Sequence, residues 1–415
     1  MRDRALTTRP PWAGKRVVLG VTGGIAAYKA VQLARDLTRL GAIVDVVLTR
    51  AAQSFVAPLS FEGVTGRTVH TDTLAVKDAA LHLHLSVGAD IVAVAPATAD
   101  LIARAAQGRA DDLLTAVLLS AASPVILVPA MNHQMFSHPQ TRRNLAHCRD
   151  VCGYQVVGPA TGPLAVGEGV GEGRMLEPED ICDYIGRAIG TDSAFKDRKV
   201  LVTAGPTHEA IDPVRFVGNR SSGRMGFALA REAWLRGGEV TLITGPSSLD
   251  SPVGLYTVRV QTAEEMLAAV EGEAPHADYL FFSAAVSDFR VADPATRKIK
   301  RGDLGGALTL ALVENPDIAE RTMRLRQSRT VTVGFALETG DLRRGALEKL
   351  EAKDLDLVVA NDATAEGAGF DVLTNRVTLF FRGGEQESLP LQSKESLARE
   401  IFDRVARLGH GAAQE

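Results

Sequence analysis

Several things are scarce in these 415 residues. There are three cysteines, Cys148, Cys152 and Cys182, too few and too odd in number for a disulfide framework. Cys148 and Cys152 have a CxxxC spacing, but no second pair completes a zinc site, so no structural metal is expected. No apolar run approaches the roughly 20 residues of a membrane span. The opening residues, MRDRALTTRPPW, are basic but lack the apolar stretch of a secretory signal. Together these absences point to a cytosolic chain. Charge of one sign is lacking too. The formal net charge is −4, with no basic footprint for nucleic acid. Hydrophobic content of 46% and charged content of 23% fit a globular protein, and the length allows two or three domains, each with a core.

What is present is a pattern that occurs twice. RVVLGV (16–21) is a short, β-branched apolar run. TGG follows, then IAAYKAVQLARDLTRL, in which Ile25, Tyr28, Val31, Leu33, Leu37 and Leu40 recur near helical spacing. Gly41 is placed to end that helix. IVDVVLT (43–49), DIVAVAPAT (90–98) and PVILVPAMN (124–132) read as further buried strands. The pattern restarts at residue 199 with KVLVTAG, then GRMGFALAREAWLRG as a helix and EVTLITG as a strand. DYLFFSAA (278–285), TVTVGFA (330–336) and DLDLVVAND (354–362) add buried strands. Strands alternating with helices predict α/β architecture: two doubly wound, mainly parallel, Rossmann-like sheets in tandem. The polar stretch GRAIGTDSAFKDR (186–198) sets the boundary, dividing the chain into 1–190 and 191–415.

Ligands of open parallel sheets bind at the carboxyl ends of the strands. The segments to inspect are therefore TGG, TR, APATAD, PAMN, TAGPTHE, SAAVSDF, GFALE and ANDAT. Two familiar fingerprints are missing from them. GVTGGI is not GxGxxG, and the second strand ends in Thr49-Arg50 rather than in an acid for a ribose. A mononucleotide phosphate at the helix N-terminus fits better, with Thr49 donating a hydroxyl. By itself TGG reads equally well as a tight turn. GNRSSGRM (218–225) has P-loop spacing, but Arg224 and Met225 replace the lysine and the hydroxyl that binds Mg²⁺. What remains is a Ser/Gly anion site, compatible with a helix cap by Ser221 or Ser222.

Three more segments carry expectations. In LHLHLS (81–86), His82 and His84 on a strand would face one side, as a metal pair does, but further ligands are lacking. LAVGEGVGEGRM (164–175) has Gly167, Gly169, Gly171 and Gly173 at every second position, which predicts a loop throughout. RKIKR (297–301) and the pair Lys349 and Lys353, four apart on a helix, each read alone as solvated surface charge.

TGGIAAYK, the histidine before LS-x-GAD, APATADLIAR, ADDLL and PAMN together resemble the flavin-dependent cysteine decarboxylases. The second half is similar to the ligase found fused to them. Over roughly residues 14–405 the chain resembles the bifunctional phosphopantothenoylcysteine decarboxylase/phosphopantothenate–cysteine ligases of coenzyme A synthesis. The resemblance implies FMN, contacted by Gly23, Gly24, Ile25, Thr49, Ala97 and Thr98, at subunit contacts of a trimer. It implies His82, not His84, as base or charge partner, and Asn132 as holder of the substrate carboxylate. The flavin would oxidise the substrate thiol, carboxylate would leave, and the enethiolate would be reduced and protonated.

For the second half the resemblance implies a ligase using CTP, 4′-phosphopantothenate and cysteine through an acyl-cytidylate. Lys298 is expected on the triphosphate, with Lys349 and Lys353 as further contacts. Asn219 would contact the carboxylate and the acyl intermediate. Ala284, Asp288, Pro316, Asp317, Ile318, Ala319 and Phe335 would line the nucleotide pocket. Mg²⁺ is expected with CTP, held mainly by phosphates. Dimers through this half would join the trimers into a homo-oligomer.

The chain departs from the family at one place. Its flap ordinarily carries a cysteine after Leu-Ala that protonates the enethiolate; here that position is Val166, and the loop is one residue longer. Glu168 is the first substitute, Glu172 the second, and water a third. This leaves an alternative: an active ligase whose flavin half is regulatory or weakly decarboxylating. An NADP oxidoreductase fused to a nucleotidyl enzyme is disfavoured by the missing GxGxxG.

Overall fold

A computed structural model of the chain describes residues 7–72, 80–300, 307–338, 341–362 and 372–411. Residues 1–6 of the basic start, Arg301 of the RKIKR run, and Ala363 and Thr364 of ANDAT lie outside them. The chain forms two compact units, Met1–Gly190 and Thr191–Glu415.

In the first unit, β1 (Arg16–Val21), β2 (Ile43–Leu48), β3 (Ile91–Ala97), β4 (Val125–Pro129) and the short β5 (Gln155–Val156) form one parallel sheet. Its order is β2-β1-β3-β4-β5, so the direction of winding reverses between β1 and β3. Helices α1 (Ala27–Arg39), α2 (Pro58–Thr65), α3 (Leu81–Val87), α4 (Ala99–Ala106), α5 (Leu113–Ser120), α6 (His133–Ser137), α7 (Pro139–Asp150) and α8 (Pro178–Ile189) complete it. Every residue of β3 and β4 is buried, as expected of strands covered on both faces. Fully burying each Val, Leu or Ile contributes about 1.5–3 kcal/mol, so the sheet centre carries stability and the loops at its edge are left for binding.

Three readings are corrected in this unit. LHLHLS is helix α3 rather than strand, so His82 and His84 are about 200° apart around the axis and cannot form a one-sided pair. The leucines decide it: Leu81 and Leu85, four apart, are the apolar side chains α3 buries. The glycine run is also only partly loop. β6 (Ala160–Pro163) and β7 (Val170–Arg174) pair antiparallel, and Gly171 and Gly173 lie within β7. They are tolerated there because the neighbouring Met131 backbone and His133 side chain need the space. A Cβ on Gly173 would lie 2.1 Å from the Met131 carbonyl oxygen, and one on Gly171 3.0 Å from the His133 Cβ. At the start of α1, Ile25 precedes the helix and both Ile25 and Tyr28 are exposed, so the apolar spacing overran the buried stripe by one turn.

The second unit is built on an eight-stranded sheet ordered β12-β11-β8-β13-β16-β17-β18-β19. Its parallel strands are β8 (Lys199–Ala204), β11 (Glu239–Thr244), β12 (Tyr256–Arg259), β13 (Tyr279–Phe282), β16 (Val331–Glu338) and β17 (Leu357–Asp362). β18 (Thr374–Phe381) runs antiparallel to β17, and β19 (Gln386–Ser393) antiparallel to β18. Two small antiparallel pairs, β9 (His208–Ala210) with β10 (Phe216–Gly218) and β14 (Phe289–Val291) with β15 (Leu312–Glu314), stand apart from that sheet. The helices are α9 (Arg224–Leu235), α10 (Ala263–Glu273), α11 (Ile318–Arg321), α12 (Leu342–Ala352) and α13 (Lys394–Gly411). Its core joins sheet and helices through Leu201, Ile243, Met266, Leu280 and Ile318. No helix among the described residues is long and apolar enough to cross a membrane.

Candidate active sites

In the first unit the loops after β1, β2 and β3 converge beside the winding reversal, where a sheet of this order leaves a crevice. The Thr22 hydroxyl donates to the Pro96 carbonyl at 2.7 Å and accepts from the Thr98 amide at 3.2 Å, tying the first loop to the third. Gly23 lies against Ala51 so closely that a Cβ would meet the Ala51 Cβ at 2.5 Å. Gly24 faces Thr98, whose Cγ2 would stand 3.7 Å from a Cβ there. The Thr49 hydroxyl is 3.4 Å from the Val21 carbonyl and accepts from the Ala52 amide at 3.3 Å. Ala97 is fully buried, so its side chain belongs to the core.

Helix α1 begins at this loop cluster without a side-chain cap. The amides of Gly23, Gly24, Ile25 and Ala26 have no hydrogen-bond partner among the described residues. Uncapped amides at the start of a 13-residue helix form an anion cradle. The chemistry of this donor set fits a phosphate-bearing cofactor at Gly23, Gly24 and Ile25.

Asn132 follows β4 and caps α6, its Oδ1 accepting from the Gln134 amide at 2.8 Å. That commits the carbonyl side and leaves the NH₂ as donor. The β6–β7 hairpin is fastened to the same loop, because the Met131 amide donates to the Gly173 carbonyl at 3.0 Å. Behind the hairpin, Glu177 pairs with Arg174 at 2.5 Å and with Lys29 of α1 at 2.9 Å. Burial alone would raise the Glu177 carboxyl, but Lys29 and Arg174 hold it below the usual glutamate range. The hairpin therefore hangs between the PAMN loop and the helix that carries the anion cradle. Residues 166–170 at its tip are exposed, Glu168 and Val166 among them.

His82 is half-buried in the first turn of α3 and its ring makes no hydrogen bond among the described residues; His84 is exposed. None of the cysteines lies on the hairpin. Cys148 is buried in α7, where desolvation pushes its thiol up to about 12. Cys152 lies just before β5, at the sheet's opposite edge, and Cys182 is buried in α8.

In the second unit a cleft of 640 Å³ follows the carboxyl edge of the sheet. Asn219, Ala284, Asp288, Pro316, Asp317, Ile318, Ala319, Phe335, Lys349 and Lys353 all line it. Asn219 donates to the Val286 carbonyl at 2.8 Å, joining the loop after β10 to the loop after β13. Ser221, Ser222 and Arg224 line the same wall. Neither serine caps the helix: the N-cap of α9 is Gly223, at φ +78°, with no side-chain cap, and the Ser221 hydroxyl accepts from the Gly223 amide instead. The serine-cap expectation is thus corrected, since the left-handed turn at glycine leaves the first amides of α9 open. Lys353 pairs with Asp317 at 2.5 Å, and Lys349 donates to the Phe335 carbonyl. Burial would raise Asp317, but Lys353 and the Glu320 amide hold it below the usual range.

Lys298 is placed differently. It is exposed, on a loop held by Asp212 and Arg215 through Ile299, and is not among the residues lining the cleft. Conversely, Asn375 and Lys394 line the cleft although the sequence carried no sign of it. They come from an antiparallel strand and the last helix, outside the βα pattern that flagged the other loops. Arg326 was missed too. Its guanidinium lies 5.1 Å from the Phe282 ring and donates to the carbonyls of Ala319 and Lys353, the latter at 3.0 Å.

Residues 8–190 match the family described as Flavoprotein, and residues 195–408 match the DNA/pantothenate metabolism flavoprotein C-terminal domain. The chain is 44% identical over 404 residues to the coenzyme A biosynthesis bifunctional protein CoaBC of Vibrio vulnificus, covering 96% of this chain and 99% of that protein. It is 43% identical to the same-named protein of Bacillus subtilis over 399 residues, covering 95% and 97%. The crystal structure of the C-terminal domain of a CoaBC protein is 34% identical, covers 52% of this chain and 98% of that one, and superposes with a TM-score of 0.45.

Proposed function

The chain belongs to the family of bifunctional coenzyme A biosynthesis proteins, and we propose from this premise how its two sites divide the work. It is both a phosphopantothenoylcysteine decarboxylase, in its flavoprotein half, and a phosphopantothenate–cysteine ligase, in its second half.

In the ligase half the carboxylate of 4′-phosphopantothenate attacks the α-phosphate of CTP, pyrophosphate leaves, and the amine of cysteine displaces CMP from the acyl-cytidylate. Charge stabilisation dominates such a reaction. The observation that carries this reading is one cleft lined together by Asn219, residues 316–319, Lys349, Lys353 and the open start of α9. Lys349 and Lys353 meet the triphosphate, Asn219 meets the acyl group, and Ala284, Asp288 and Phe335 bound the nucleotide. Lys298, exposed and outside the lining of the cleft, is the further cation assigned to the triphosphate. Mg²⁺ accompanies CTP on the phosphates; no group of three or more His, Cys, Asp or Glu among the described residues forms a cage for it.

In the other half Gly23, Gly24, Ile25, Thr49 and Thr98 hold FMN, with Ala97 at the back of the crevice. FMN, when bound, supplies the oxidation of the substrate thiol that makes loss of the carboxylate easy. The chain's own groups do the rest. The Asn132 NH₂ holds a carboxylate that must leave without its charge, and His82 serves as base or charge partner. The hairpin excludes water. Val166 has no proton to give, so Glu168, two residues on at the tip, protonates the product, with Glu172 in reserve. Exposed Ile25 and Tyr28 beside the cradle support FMN sites shared between copies of the flavin half in a homo-oligomer.

The test is to run the half-reactions separately on the purified chain with product masses. CTP, cysteine and 4′-phosphopantothenate should give phosphopantothenoylcysteine, and that compound supplied alone should release CO₂ and give the saturated cysteamine amide. Ligation without CO₂ would refute the decarboxylase reading. If Glu168→Gln leaves full conversion to the saturated product, Glu168 is not the acid.

A further inference from the structure

The lining of the ligase cleft includes two residues that the steps above leave unused. Asn375, at the start of β18, and Lys394, at the first residue of α13, line the cleft together with Lys349 and Lys353. Two reversals of direction bring them there. Because β18 runs antiparallel to β17 and β19 antiparallel to β18, the start of β18 and the end of β19 fall on the same edge as the end of β17. The Lys394 amide is fixed to the Leu373 carbonyl at 3.0 Å, which holds the first turn of α13 beside β18.

Both side chains are nine-tenths buried, Asn375 at 6% and Lys394 at 7% exposure. The Asn375 Oδ1 accepts from the Arg376 amide at 3.0 Å, while its NH₂ has no hydrogen-bond partner among the described residues. The amide thus offers the cleft only donors. Leaving a buried donor unmade costs free energy that a ligand acceptor would recover. A lysine ammonium is a compact point charge, suited to a phosphate, and it stands where the dipole of an 18-residue helix is positive.

We propose that Asn375 and Lys394 form a phosphate-binding corner of the ligase cleft, occupied either by the terminal phosphates of the nucleotide or by the phosphate monoester of the pantothenate substrate. The corner rests on the ligase reading, and the two fail differently: without ligation in the unmodified chain that reading falls, whereas an active chain indifferent to the variants below removes only the corner.

The experiment measures KM for CTP and for 4′-phosphopantothenate in full-length Lys394→Gln, Lys394→Arg and Asn375→Asp. Loss of a charge-assisted hydrogen bond should raise one KM about 10- to 100-fold in Lys394→Gln. Lys394→Arg should restore most of it. Asn375→Asp, which keeps the shape but adds a repelling charge, should raise the same KM at least as far, and it keeps the test open if Lys394→Gln does not fold. The thermal unfolding of the second half, compared with that of the unmodified chain, reports on the folding of each variant. A rise confined to CTP places the nucleotide phosphates in the corner. A rise for phosphopantothenate that vanishes when unphosphorylated pantothenate is the substrate places the monoester there. Unchanged KM values for both substrates in a folded variant overturn the proposal.

Discussion

The Gly173 carbonyl accepts a hydrogen bond from the Met131 amide at 3.0 Å, and the Gly173 Cα is pressed so closely on the Met131 carbonyl that a Cβ would stand 2.1 Å from its oxygen. The root of the hairpin is therefore seated on the loop that ends in Asn132. Gly173→Ala must push the two apart, the more so because φ is +147°. CO₂ release should fall at least about 10-fold while CTP-dependent ligation stays the same, since a small displacement of a closing element is costly. Equal losses in both activities would mean the change acts on folding.

The two histidines of α3 should differ in kind. His82→Ala is expected to lower CO₂ release by about 10²–10⁴-fold, as loss of a proton-transfer or charge partner does, and to spare ligation. His84→Ala, on the exposed side of the helix, should be mild. Similar losses from both would remove the assignment to His82.

Arg326 should act through its neighbours. Its planar guanidinium spans the carbonyls of Ala319 and Lys353 beneath Phe282, a reach a lysine ammonium cannot reproduce. In Arg326→Lys, KM for CTP should rise about 10-fold, from the roughly 1–1.5 kcal/mol of one lost hydrogen bond, with kcat changed far less. A fall in kcat with KM unchanged would show that the guanidinium does not position the nucleotide wall.

The Glu177 clasp predicts a pH dependence. Its carboxyl, which burial alone would raise, is held by Lys29 and Arg174 below its ordinary value of 4.5. The anion's contribution is therefore complete above that ordinary value and is lost as pH falls through the lower folded value. Hydrogen exchange of residues 170–174, compared at each pH with Glu177→Gln, should show extra protection in the unmodified chain near neutrality and none once the carboxyl is protonated. Equal protection at neutral pH would mean the ion pairs do not hold the hairpin.

Much of the architecture was legible in sequence because buried parallel strands are continuous apolar runs with glycine or polar residues after them. β1, β2, β3, β4, β8, β11, β13, β16 and β17 lie where those runs lie, and the loops after several of them carry the candidate residues. The resemblance named the chemistry, through motifs such as TGGIAAYK, APATADLIAR and PAMN. Other elements left no such trace. β18 and β19 alternate weakly at a sheet edge, and the glycines of β7 read as loop because a strand's glycines declare themselves only through the backbone they touch.

The residues by themselves thus determined two α/β halves, the edge of each sheet at which to look, and the absence of a thiol at position 166. Only the tertiary structure decided that His82 and His84 diverge on a helix, that the glycine run is half strand and seated on Met131, and that Asn375 and Lys394 share a cleft with Lys349 and Lys353 while Lys298 does not line it. The physical reason is range. Apolar periodicity is written within a few residues, whereas hydrogen bonds, ion pairs and close backbone approaches depend on segments that only packing brings together.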